Sequence, residues 1–166
     1  SALNGALYAK FAMPFGEVLL CARGDLLVRL VFDRERGEAE YVRTHCRAGM
    51  SGPLRAGIRF LREYMRGAPG AMPPLDLSPY STSEQRVYAA LMKVPFGATV
   101  TYGELALLAG FPRGARFAGN AMAKNRLPVL VPCHRVLHAG GGVGNYTSGA
   151  DIKAFLLEHE GSLRRI

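Results

Sequence analysis

The stretch TYGELALLAGFPRGARFAGNAMAK, residues 101–124, decides the fold of the second half of this chain. Thr101 is placed to cap a short amphipathic helix that Gly110 closes. Phe111-Pro112-Arg113-Gly114 reads as a turn, and a second helix is expected from about Ala115 to Lys124. Helix, short turn and helix make a helix-turn-helix pattern. The second helix is rich in small residues, Ala115, Ala118, Gly119, Ala121 and Ala123, which let a helix approach a bulky partner closely but serve tight helix packing equally well. The basic set Arg113, Arg116, Lys124 and Arg126 tips the reading toward DNA, because no acidic residue lies among them and a merely solvated face mixes both signs.

Immediately downstream, the apolar run Leu127-Pro128-Val129-Leu130-Val131 leads into Pro132-Cys133-His134-Arg135-Val136. A thiol reacts as the thiolate, so a nucleophilic cysteine needs a base or a positive charge nearby, and His134 and Arg135 are adjacent candidates. A buried, inert cysteine at a strand end fits the hexapeptide equally well. The segment from Ala139 to Gly149 is too glycine-rich for a regular element and lacks the spacing of a phosphate-cradling loop, so it reads as a loop packed beside a ligand. A last helix is expected from about Asp151 to His159, with Ile152, Phe155 and Leu156 inward and Glu160-Gly161 closing it.

Upstream, Ser81-Thr82-Ser83-Glu84 is a capped helix start, with Val87, Leu91 and Met92 facing inward and Val94-Pro95-Phe96-Gly97 ending the helix. Before it, Gly67 to Pro79 carries six Gly and Pro residues and reads as a connector, which divides the chain into domains at 1–78 and 79–166. In the first domain, apolar runs at 6–12, 16–23 and 26–32 form a strand meander with a tight hairpin at Gly24-Asp25. A charged helix follows from Arg34 to Ala48, and then one from Leu54 to Arg66 with Leu54, Ile58, Leu61 and Met65 on one face. The fold class is thus a small α/β N-terminal unit followed by a mainly α unit.

A net charge of +8 points to a polyanionic partner, above all nucleic acid. No apolar run approaches a membrane span, and no signal segment opens the chain, so the expected location is inside the cell and away from membranes. Cys21, Cys46 and Cys133 are odd in number and too widely spaced for a disulfide framework. With His45 they supply too few well-spaced ligands for zinc, so no metal and no cofactor is expected.

Residues 84–161 resemble the O6-alkylguanine-DNA alkyltransferases. The likeness runs through Val94-Pro95-Phe96-Gly97, Thr101-Tyr102-Gly103-Glu104-Leu105-Ala106, Ala115-Arg116, Gly119-Asn120-Ala121-Met122, Asn125, Val131 to Val136, Val143-Gly144-Asn145-Tyr146, Lys153 and Leu156 to Gly161. It implies an N-terminal ribonuclease-H-like domain and a winged-helix-like C-terminal domain. It also implies a protein that flips O6-alkylguanine, chiefly O6-methylguanine, out of duplex DNA and moves the alkyl group irreversibly onto Cys133, once per molecule. His134 would act as base through a bridging water, oriented by Glu160, with Lys153 close by. Tyr102 would donate to the purine as guanine leaves, and Asn125 would support the helix pair and the active-site turn. Arg116 would replace the flipped nucleotide, on a DNA-facing set of Thr101, Arg113, Ala115, Gly119, Asn120, Met122 and Lys124. Pro128, Val136, Val143, Tyr146 and Thr147 would line the substrate pocket. The resemblance further implies a monomer, several of which can bind along DNA, in the cytoplasm with the nucleoid or in a nucleus. Asn120 stands where the family commonly has glycine, and Thr147-Ser148 where serine and glycine are usual.

Two other readings are open on the residues alone. One is a helix-turn-helix regulator that transfers nothing, motivated by residues 102–124 and the charge. The other is a Cys-His hydrolase, which ranks last because the partners of such dyads are usually distant in sequence.

Overall fold

In the N-terminal third, alternating apolar runs fold into a sheet because each can bury one face. In a computed structural model of the protein, which describes residues 3–142 and 146–162, β1 (Leu7–Met13), β2 (Gly16–Arg23) and β3 (Leu26–Phe32) form an antiparallel meander. The hairpin between β2 and β3 turns at Gly24-Asp25, where Gly24 takes φ 59°. Helix α1 (Arg36–His45) starts two residues later and ends three residues earlier than the sequence suggests. The earlier end has a backbone cause. β1 offers an unpaired edge, and Arg47–Ala48 leaves the helix to join it in parallel as β4, completing the order β3-β2-β1-β4.

Helix α2 (Gly52–Met65) lies on this sheet, and its buried side is Pro53, Leu54, Gly57, Phe60, Leu61 and Tyr64. Ile58 and Met65, expected inward, are only half-buried. The face is set by Gly57. A β-carbon there would sit 3.0 Å from Leu27 and 3.1 Å from Leu20, so the bare backbone lets sheet and helix close together and draws Phe60 and Tyr64 inward. Part of the expected connector is also ordered: Leu27 N–H donates to Pro74 O (2.9 Å) and Asp76 N–H to Leu27 O (2.8 Å), laying residues 74–76 on the sheet edge.

The chain divides into two compact units, Ser1–Leu77 and Ser78–Ile166. The second begins with α3 (Thr82–Met92), whose Ser81 hydroxyl accepts from Glu84 N–H while the Glu84 carboxylate accepts from Ser81 N–H. The same reciprocal cap, Thr101 with Glu104, starts α4 (Tyr102–Leu108). Helix α5 (Ala115–Ala123) follows the turn, whose Gly114 cannot carry a side chain, since a β-carbon would meet that of Phe111 at 2.7 Å. The last helix is α6 (Ala150–His159), burying Ile152, Lys153, Leu156 and Leu157, while Phe155 is half-buried. Met92, expected inward in α3, is likewise half-buried. Two short parallel strands, β5 (Val100–Thr101) and β6 (Val136–Leu137), tie the start of α4 to the segment after Cys133. No helix among the described residues is long and apolar enough to cross a membrane.

Candidate active site

Cys133 opens a single 3₁₀ turn, Cys133–Arg135, that delivers three buried side chains in succession. The turn is held from both sides. Ahead of it, Asn125 Nδ2 donates to Val131 O (2.9 Å), and Asn125 Oδ1 accepts from Leu127 N–H (2.9 Å), closing residues 125–131 into a braced loop. Within this loop buried Val129 holds φ 72°, a left-handed conformation that a β-branched residue enters only when its surroundings impose it. Behind the turn, β6 pairs with β5, which places Val136 opposite Val100 and brings Tyr102, the next residue after β5, into the same neighbourhood.

Glu160, at the C-terminal cap of α6, is the hub of the polar interior. Its Oε2 lies 2.6 Å from His134 Nε2 and accepts from Arg135 Nη2 at 3.2 Å, while its Oε1 accepts from Arg135 Nε (2.8 Å) and Gly97 N–H (3.1 Å). Burial alone would raise the Glu160 carboxyl, but the bonds and charges of His134 and Arg135 together hold it well below the usual carboxylate range. An ionised carboxylate only accepts, so His134 Nε2 carries the proton and Nδ1 is left with the basic lone pair. Burial pushes the His134 pKa down against the opposing pull of Glu160, which keeps the ring neutral and able to take up a proton.

Burial also pushes the Cys133 thiol up, against the opposing pull of the Asn125 and Tyr146 side chains, the positive charge of Lys153 and the backbone of Cys133 itself. Lys153 is 1% exposed and donates to Val136 O at 2.7 Å; burial pulls its pKa down, and the charge of Cys133 pulls the other way. Tyr102 is half-buried, its ring 5.4 Å from that of His138, and burial followed by the Cys133 charge raises its hydroxyl. Cys133, His134, Glu160, Asn125, Tyr146, Lys153 and Val136 are therefore one connected constellation, with Tyr102 electrostatically coupled to it. The sequence reading missed the part of Arg135. It lies against Glu160 and Val94 O (2.8 Å), as a clamp on the carboxylate rather than a cation beside the thiol.

On the helix pair, Arg113, Ala115, Arg116 and Asn120 are exposed, and Thr101 and Gly119 are half-buried. Two members of the expected DNA-facing set differ. Met122 is 8% exposed, because it shares the inward side of α5 with Ala118 and Ala121. Lys124 projects to solvent, but its ammonium is bonded to Glu84 Oε2 at 2.6 Å. The acidic residue absent from its own segment comes from α3. Of the expected pocket residues, Pro128 and Val136 are buried and Thr147 is exposed, while Val143 lies outside the described residues. Among the described residues no group of three or more His, Cys, Asp or Glu is arranged to hold a metal ion.

Residues 82–162 match the family described as 6-O-methylguanine DNA methyltransferase, DNA binding domain. The methylated-DNA–protein-cysteine methyltransferase of Methanosarcina acetivorans is 36% identical over 156 residues, covering 93% of this chain and 98% of its own length. The crystal structure of Mycobacterium tuberculosis O6-methylguanine methyltransferase superposes with a TM-score of 0.83 at 33% identity, covering 95% of this chain and 93% of that one. The same organism's OGT in complex with DNA gives a TM-score of 0.81 at 32% identity, covering 94% and 93%. On this likeness over nearly its whole length, the chain belongs to the methylated-DNA–protein-cysteine methyltransferase family.

Proposed function

We propose that this protein repairs DNA by moving the alkyl group of O6-alkylguanine, chiefly methyl, onto the Sγ of Cys133. The observation that carries the reading is the relay Glu160–His134 beside a buried thiol. His134 Nδ1 takes the thiol proton through a bridging water as Sγ attacks the alkyl carbon. The S–C bond forms, the C–O6 bond breaks, and guanine leaves with its electron pair as Tyr102 supplies a proton or hydrogen bond to the purine. Glu160, fixed by Arg135 and Gly97, stabilises the imidazolium that forms. Lys153 and Asn125 favour the thiolate. The product is a thioether, which no neighbouring group cleaves, so each molecule acts once.

The reacting carbon is buried in duplex DNA, so the nucleotide is flipped at a cost of a few kcal/mol and its place filled. Exposed Arg116 on α5 is the residue suited to fill it, with Arg113, Ala115, Gly119, Asn120 and Thr101 against the backbone. Tyr146, Thr147, Pro128 and Val136 bound the pocket for the base. The mixed sheet with flanking helices supports a ribonuclease-H-like reading of a domain at 1–78, and the helix pair with β5 and β6 a winged-helix-like reading of one at 79–166. The protein acts as a monomer, several copies of which can line the DNA, in the cytoplasm with the nucleoid or in a nucleus.

Incubation with an equimolar duplex containing O6-methylguanine, followed by peptide mass spectrometry, is expected to place one methyl group on Cys133. Cys133→Ala should bind the duplex and transfer nothing; transfer by that variant would overturn the assignment.

A further inference from the structure

Helix α2 carries arginines at 55, 59 and 62, with Arg66 at its C-terminal cap. Spacings of four, three and four residues put all four within a sector of about 60° and along about 16 Å of helix. All four are exposed, on the side away from the buried face. Among the described residues none of them forms an ion pair. Three arginines elsewhere in this unit are paired, Arg23 with Asp76, Arg29 with Glu38 and Arg43 with Asp33, while the exposed Arg36 and Arg47 stand apart from one another and form no such ridge. The single acid of α2, Glu63, pairs with none of the four.

Helix stability does not account for the ridge. Arg62 and Arg66 complement the negative C-terminal end of the helix dipole, but Arg55 stands near the positive end, where a cation is unfavourable. Like charges one turn apart cost further stability. Arginine is the side chain whose planar fork fits phosphate oxygens two at a time.

We infer that this ridge is a second polyanion-binding surface, which takes the phosphate backbone of double-stranded DNA independently of α5. The inference rests on the reading of the protein as one that acts on DNA, since DNA is then the polyanion always at hand. Each phosphate that a variant no longer neutralises reduces the slope of log affinity against log salt by about 0.9.

The test compares full-length variants of equal net charge on duplex DNA across a salt series. Arg59→Gln with Arg62→Gln removes two charges from the ridge; Arg36→Gln with Arg47→Gln removes two exposed charges elsewhere in the same unit. The ridge pair is expected to lower the slope by about 1.8, the dispersed pair by much less, and neutralisation of all four ridge arginines by about 3.6. Thermal melting identical to the parent verifies folding. Equal slopes for the two pairs would overturn the inference. So would a ridge effect confined to an acidic probe such as polyglutamate, which would make the partner a protein. Methyl transfer by the parent protein is scored separately, so failure of the parent to transfer refutes the repair reading and leaves the slope comparison standing.

Discussion

At the scale of single residues, the site is governed by one carboxylate. Glu160 receives four donor groups, so its charge persists to low pH and imposes the tautomer of His134. The acid sensitivity of the protein follows. The folded pKa values of both His134 and Glu160 lie below their unfolded values, so the unfolded chain binds the extra protons as pH falls. Stability is therefore complete above about pH 6.5, declines first as unfolded His134 protonates, and declines again below about pH 4.3 as unfolded Glu160 does. Thermal melts from pH 8 to pH 3 should show both limbs, and Glu160→Gln should shrink the lower one, to which Glu84 also contributes, while lowering the melting temperature at pH 7. Arg116 is expected to matter only where a duplex must be opened. Arg116→Ala should slow repair of duplex DNA by about thirtyfold, corresponding to roughly 2 kcal/mol of flipping cost left uncompensated, and leave reaction with free O6-methylguanine base unchanged. Equal losses on both substrates would remove Arg116 from that role.

At the scale of elements, what was legible in the sequence was whatever is settled locally. The capped starts at Ser81 and Thr101 and the turn at Gly24-Asp25 each rest on residues within four positions of one another, and the helix-turn-helix is a succession of such local signals, so their physical causes are visible in a linear string. Pairings across the fold were not. The 40-residue separation of Lys124 and Glu84 hid the partner of a lysine that looked free. The close approach of Gly57 to Leu20 and Leu27 rotated the buried face of α2, and the open edge of β1 took the end of α1. Around the site, Cys133, His134 and Glu160 were legible through the family resemblance, whereas the clamp by Arg135 depends on a fold that brings it to a residue 25 positions away. The loop before Cys133 gives a direct test. Asn125→Ala removes two hydrogen bonds, each worth about 1 kcal/mol. It is expected to cost about 2 kcal/mol in denaturant unfolding and to slow transfer further by loosening the turn. A variant that melts lower but transfers at the parent rate would make Asn125 a purely structural brace.

At the scale of the whole molecule, the two charge systems have separate tasks. The basic surface of α5 lies beside the chemistry, while the net charge of +8 draws the protein to DNA in a salt-dependent way. The interior is built for the unreacted state. Cys133 is 8% exposed, and its thiol is set among the side chains of Asn125, Tyr146 and Lys153, which favour the thiolate. Methylation takes away the thiol proton and inserts a carbon where packing leaves little room, at a cost of about 1–3 kcal/mol. Methylated protein is expected to melt lower and to be cut faster by a nonspecific protease than the same protein before reaction, and indistinguishable rates would show that the site absorbs the methyl without strain. A cell that degrades its least stable chains first would then clear spent molecules and spare fresh ones, with no dedicated sensor: the lifetime of each copy is set by whether it has yet met a lesion.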